Sequence, residues 1–272
     1  MTVFYTMKCV TNLHVGSGET NFSTVDKQVE RDEITGFPMI YSTSLKGALR
    51  EHANKYAPQE LVESLFGREG DGDGSGKVKF LDAYLLARPM RASQGQQVFY
   101  MVTTKQMLQD FLDFLLLANQ VDAQLLAELD SLPNETICLY RETGEDVVGV
   151  EGIKVSKVLE DDRFTEIISL FKKALGEQYK TVILLDENDF NDSSLPVRAR
   201  NKVKKHKDQN SNLWYEEHVP YKSIFYTMVL ETGEKDSALA LSQLAQLLEN
   251  HQLVQIGANA TVGFGLVSMT KW

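Results

Sequence analysis

Three short runs near the N-terminus hold residue types that could manage a polyanion: HVGSGE at 14–19, VDKQVERDEITGFPMI at 25–40 and STSLKGALRE at 42–51. They supply a glycine-flanked turn, an isolated acid and a helix that opens with cations. Leu45, Ala48, Leu49, Ala53 and Tyr56 recur with helical spacing and predict an amphipathic helix over 44–56, with Ser42 or Ser44 as its N-cap. Lys46 and Arg50 are four apart and project the same way. Cations in the first turns oppose the helix dipole, and a phosphate bound there would remove the mismatch through backbone N–H groups, the Ser44 hydroxyl and both side chains. An ordinary solvated helix face fits the same pattern.

A second basic run lies at 197–220. Arg198, Arg200, Lys202, Lys204, Lys205 and Lys207 reverse the local sign of a chain whose net charge is −10. Arg198, Arg200 and Lys202 alternate, so a strand would set them on one face, with KKHKDQNSN as a turn and LWYEEHV as the return strand. Such a hairpin suits phosphate contacts, and Trp214 and Tyr215 could stack on bases. For Trp214, anchoring the hairpin to the core is the favoured reading.

The balance of 28 basic against 38 acidic residues has the wrong sign for a protein that simply coats nucleic acid, so such binding must be local. Two cysteines, Cys9 and Cys138, make neither a disulfide framework nor a zinc site. The sequence has no signal peptide and no long apolar run, and the expected setting is cytoplasmic, with no membrane partner. DGDGSGKVKFLD at 71–82 matches calcium-loop spacing, but a strand-like stretch stands where the second helix should be, and the match ends on Asp82. A Walker loop is excluded because position 71 is Asp.

Strands are expected at 2–13, 77–86, 96–104, around 135–155, at 180–187 and at 223–231, and helices at 44–56, 59–66, 105–130, 160–175 and 238–251, with a β-rich C-terminus. Strands interleaved with helices predict an α+β fold built on ferredoxin-like units.

HVGSG, VD, ER with TGFP, SLKGALRE, GKVKFLDAYLL, VRARN with LWYEE and IGANATVGFG appear in this order over nearly the whole chain. Together they resemble the backbone subunit of type III-B CRISPR effector complexes, the Cmr branch of the RAMP superfamily. The resemblance implies one domain over 1–272: a modified ferredoxin-like, RNA-recognition-motif-like palm with inserted helical segments and a protruding thumb hairpin within 190–220. It implies partners in guide CRISPR RNA, target single-stranded RNA, further copies of the chain and other subunits of the complex. It also implies an endoribonuclease that cuts target RNA at regular intervals. Asp26 matches the cleavage-loop acid, Lys46 and Arg50 match the guide-gripping helix, and the 197–219 hairpin matches the thumb that interrupts the duplex. Further expected RNA contacts are His14, Gly16, Ser17 and Gly18, then Ser44, then Arg198, Arg200, Lys202 and Lys204, then Gly257, Asn259 and Thr261. Tyr41 and Ser42 stand where the family has Pro-Gly, and Ala258 follows Gly257 where it has a second glycine.

RNA carries its own nucleophile, the 2′-hydroxyl, so a nuclease needs in-line geometry, one assisted proton transfer and charge stabilisation at the phosphate. Asp26 would be the general base or would hold a divalent cation, with Mg2+ expected. His14 and His218 are candidate acids, though a lone histidine is more often structural. Glu30, Asp32 and Glu33 read as solvated loop charges. Other functions carried are a non-cleaving backbone subunit, a guide-processing endoribonuclease and a small-molecule enzyme on a ferredoxin-like scaffold. No histidine starts the H-x-[ST] pair of a two-histidine phosphoesterase.

Overall fold

A computed structural model describes residues 1–16, 18, 25–68, 74–133, 135–142, 144, 147–202 and 212–272. Ser17, residues 203–211 with Lys204 among them, and the acidic start of the 71–82 match lie outside the described residues.

The first strand, β1 (Thr2–Cys9), is buried on both sides: Val3, Tyr5, Met7 and Cys9 face one apolar cluster and Phe4 the other. This makes it a central strand. After the short β2 (Met39–Ile40), α1 (Ser42–Tyr56) buries Leu45, Leu49 and Ala53 as its spacing predicts, each leucine contributing on the order of 1.5–3 kcal/mol. Tyr56, expected on that stripe, is half exposed and stacks on His251 at 3.9 Å between ring centroids. Helix α2 (Gln59–Phe66) closes on Gly67 at φ 89. The stretch expected as one strand over 77–86 divides into β3 (Val78–Phe80) and β4 (Ala83–Gln94).

Next come β5 (Phe99–Thr104), α3 (Lys105–Leu117) and α4 (Gln124–Asp130). The expected continuous helix over 105–130 is broken at Asn119, whose φ of 54 is left-handed. The chain continues through β6 (Ile137–Arg141), β7 (Val148–Val150), β8 (Ile153–Val155), α5 (Thr165–Leu175), β9 (Thr181–Leu185) and the unexpected α6 (Glu187–Asp192). It then forms β10 (Val197–Lys202), β11 (Asn212–Glu217), β12 (Ile224–Glu231), α7 (Ser237–Asn250), β13 (Leu253–Gln255) and β14 (Leu266–Lys271).

The architecture is mixed α/β around one large, mostly antiparallel sheet whose main path runs β13-β14-β1-β12-β4-β5-β9-β6. Only β5 and β9 are parallel along that path. One apolar cluster packs α1, α2 and α7 on β1, β12 and β14; the other packs α3, α4 and α5 on the opposite face. The β10–β11 pair is a separate antiparallel ladder running from Val197 opposite Glu217 to Lys202 opposite Asn212. No helix among the described residues is long and apolar enough to cross a membrane.

Candidate nucleic-acid interface

Asp26 begins the segment that ties the hairpin to the sheet. Lys27 donates its N–H to the Tyr215 carbonyl at 3.1 Å and accepts from Glu217 N–H at 2.9 Å, and Glu30 N–H bonds to the Val15 carbonyl at 2.8 Å. Within this ladder the Asp26 Oδ2 accepts the Tyr215 N–H at 2.7 Å. The carboxylate and the return strand therefore form one unit. Lys27, on which the sequence reading placed no role, holds its ammonium 5.2 Å from the Trp214 ring. Trp214 is half-buried beneath that cation, so it is only partly the core anchor expected.

Cross-strand register sets Arg198 opposite Glu216 and Arg200 opposite Trp214 on one face of the hairpin. Arg200 pairs with Glu216 at 3.0 Å, and the Arg198 and Arg200 guanidinium carbons lie 5.2 and 4.8 Å from the Phe264 ring. Glu216 also accepts from Asn259 at 2.9 Å, and its other oxygen is 3.7 Å from His14 Nε2. Burial pushes the Glu216 carboxyl upward, but Asn259, His14 and Arg200 outweigh it and hold the group below its usual range. His14 is oriented by its Nδ1, 2.6 Å from the Glu217 carbonyl. Glu217 accepts from Val29 N–H at 3.1 Å and from Arg31 at 2.7 Å.

His14 and His218 are both buried, and burial, followed by the charge of Arg198, lowers His218 to about 4. His218 stays neutral near pH 7, a poor state for a general acid.

The C-terminal loop fits into the same cluster. Gly257 has φ 74, and a Cβ there would stand 2.3 Å from the His14 carbonyl oxygen, which accepts the Ala258 N–H at 2.9 Å. Its glycine is required by the chain's own backbone. Thr261 is exposed on the adjoining turn, Gly16 bridges to Val29, and Gly18 is exposed with φ 77. The structure therefore brings together His14, Gly16, Asp26, Arg198, Arg200, Gly257 and Asn259. For Lys202 only the strand position is described.

Helix α1 corrects the expected phosphate seat. Neither Ser42 nor Ser44 caps it: Tyr41 holds the cap position, and Asp82 accepts the Ser42 N–H at 2.5 Å. Glu30 accepts the Tyr41 N–H at 3.1 Å and the Ser44 hydroxyl at 3.4 Å. Two carboxylates thus already meet the positive end of the helix. Glu30 is buried rather than solvated, its carboxyl raised by that burial. Asp32 closes a turn by accepting the Ile34 and Thr35 N–H groups, while Glu33 is exposed as expected. Arg50 donates to the Gly67 carbonyl at 3.0 Å and Lys46 is half-buried. The helix nonetheless adjoins the loop: a groove of about 490 Å³ is lined by Thr43, Ser44, Gly47, Lys55, Gln255 and Gly257 among others.

Asp26 contributes a single carboxylate, and no group of three or more His, Cys, Asp or Glu side chains able to hold a metal ion occurs among the described residues. The described residues do not by themselves make a cation site.

Residues 6–268 match the family model of the RAMP superfamily. A Pyrococcus furiosus protein described as the CRISPR system Cmr endoribonuclease Cmr4 is 29% identical over 277 residues, covering 96% of this chain and 92% of that protein. A Saccharolobus solfataricus Cmr4 subunit is 27% identical over 306 residues, covering 98% and 94%. The fold is shared with a subunit of the type III-B Cmr-β complex bound to cognate target RNA, solved by cryo-electron microscopy, at TM-score 0.81 and 24% identity over 100% of this chain and 97% of that one. Oligomeric Cmr4 from Pyrococcus furiosus gives TM-score 0.73 at 22% identity over 99% and 97%. With the family match spanning the sheet, the hairpin and the C-terminal loop, the chain belongs to the RAMP superfamily.

Proposed function

We infer that this chain is the backbone subunit of a type III-B CRISPR effector complex, which binds guide RNA, assembles with further copies of itself and with other subunits, and cleaves complementary target RNA. The observation that carries the reading is the 2.7 Å bond from Tyr215 N–H to Asp26. It fixes the one carboxylate expected to act to the hairpin expected to distort the RNA. The ferredoxin-like assignment of the palm draws support from four strands: β1, β4, β12 and β14 follow one another in the chain and lie in the order β14-β1-β12-β4, each antiparallel to its neighbour. The β10–β11 ladder, outside that sheet, is the thumb in this reading, and the whole chain is one domain acting in the cytoplasm.

In the mechanism, the hairpin forces one target nucleotide out of helical stacking, at a cost of a few kcal/mol that cationic contacts offset. Asp26 takes the proton of the 2′-hydroxyl as that oxygen attacks the adjacent phosphorus, and the 5′-oxygen of the next nucleotide leaves with a proton from water. A divalent cation, Mg2+ first, is part of the proposal as a source of phosphate charge stabilisation. One carboxylate gives it one ligand, so RNA oxygens and water would have to complete its shell. The test is to incubate the assembled complex with guide-matched RNA and map both product ends. Equally spaced cuts with 2′,3′-cyclic phosphate and 5′-hydroxyl ends are expected. Ends bearing 3′-hydroxyl and 5′-phosphate would refute attack by the ribose.

A further inference from the structure

The sheet face at the ends of β1, β12 and β14 concentrates positive charge that the Asp26 region does not use. Register sets Thr6 opposite Thr270 and Lys8 opposite Ser268. With Lys173, Gly176 and Gln178 from the end of α5, these line a shallow recess of about 260 Å³ that contains no carboxylate. Lys8 Nζ lies 5.6 Å from the Tyr179 ring, which meets the Phe99 ring at 6.3 Å; Lys222 Nζ lies 5.5 Å from Phe99 and 5.3 Å from Tyr221. Lys173 Nζ is 3.9 Å from the Trp272 ring. Each of the three ammonium groups therefore lies against at least one aromatic ring.

None of the three lysines has a carboxylate partner among the described residues. In a chain of net charge −10 that is a second local reversal of sign. Lys8 is held below its ordinary range by burial and then by the charge of Lys222, a repulsion that an anion would relieve. The backbone that presents Lys222 is fixed: its φ is 73, and its N–H donates to the Cys9 carbonyl at 2.6 Å. The patch begins where the hairpin re-enters the sheet, since Val219 pairs with Leu13 three residues before Lys222.

We propose that Lys8, Lys173 and Lys222, with the exposed Tyr221, form a second single-stranded RNA-binding surface, separate from the Asp26 and α1 regions. The ammonium groups take backbone phosphates and Tyr221 offers a face on which a base stacks. The recognition is independent of sequence, because phosphates and base faces are common to every nucleotide. This rests on the reading of the chain as an RNA-binding subunit.

The test uses the full chain, fluorescein-labelled oligouridine as probe, and anisotropy over a salt series. The triple variant Lys8→Gln, Lys173→Gln, Lys222→Gln should lower the slope of log K against log salt by about 2, three contacts at roughly 0.7 each. The three Lys→Arg changes should restore it, and Tyr221→Ala should weaken binding several-fold while leaving the slope unchanged. A thermal melt of each variant confirms that it is folded. Equal slope and affinity in wild type and folded triple variant would overturn the proposal while leaving the RNA-binding function intact. A wild-type chain that binds no oligouridine at all would overturn both. Unchanged RNA binding with lost incorporation into the complex would assign the patch to an acidic protein surface and refute the RNA assignment.

Discussion

Glu216 joins the hairpin to His14 and the C-terminal loop, and Glu216→Gln isolates its charge while keeping its shape. The variant still accepts from Asn259, but it leaves Arg200 without its counter-ion and His14 without a neighbouring carboxylate. A hydrogen bond to a charged group contributes about 1.5–3 kcal/mol, and stranding a buried charge costs about 3–5 kcal/mol. The Glu216 side chain is 3% exposed but that of Arg200 is 22% exposed, so water recovers part of the loss and about 2–3 kcal/mol is expected. For a chain of this size that lowers Tm by roughly 5–10 °C at pH 7. Because the folded carboxyl sits below its ordinary 4.5, its contribution is present above that value and is lost as pH falls through the lower folded one. Scanning calorimetry of both proteins at pH 7 and at about pH 4 should show a wide gap that narrows with acid. An unchanged Tm at pH 7, or a gap of equal size at both pH values, would refute this account of the joint.

His218 gives a second pH signature with the same sign. Its folded value of about 4 lies under the ordinary 6.5, so as pH falls between them the unfolded chain takes up a proton that the folded chain refuses, costing up to about 3 kcal/mol. Urea midpoints of wild type should fall across that window and those of His218→Phe should fall less; parallel curves would contradict the burial argument. Replacing Lys46 and Arg50 by Ala should weaken guide binding alike for all guide sequences and flatten its salt dependence by about 1–2, read by filter binding at several salt concentrations. A sequence-selective defect would show that these side chains reach base edges.

What the sequence disclosed, and what it hid, divides along the range of the interactions. The helix at α1 was legible because Leu45, Leu49 and Ala53 repeat with the helical period, and the β10–β11 pair because Arg198, Arg200 and Lys202 alternate ahead of a polar run that LWYEEHV follows. Its cap was not, since Asp82 reaches Ser42 across 40 positions and belongs to a run that imitates a calcium loop. The anchoring of Asp26 by Tyr215 spans 189 positions, and nothing local in VDK foretells it. Glu216 looked like an unremarked acid in LWYEE. Only cross-strand register beside Arg198, with Arg200 close by, could have signalled it, and that register depends on a turn whose length the sequence leaves open. Burial of Glu30 was hidden for the same reason: a carboxylate's surroundings are set by which strands pair, and periodicity does not report them.

The central claim is that one carboxylate held on the hairpin does the chemistry, and Asp26→Asn in the assembled complex tests it most directly. Asparagine retains an oxygen to accept the Tyr215 N–H, so the anchor persists while the proposed base is lost. The two readings are the target-cleavage rate under single-turnover conditions and the affinity for guide-matched RNA, measured on the same preparation. The account predicts a rate loss of about 100-fold or more, as expected for removing a general base, with affinity unchanged. Retained cleavage, or affinity and cleavage falling together, would contradict it.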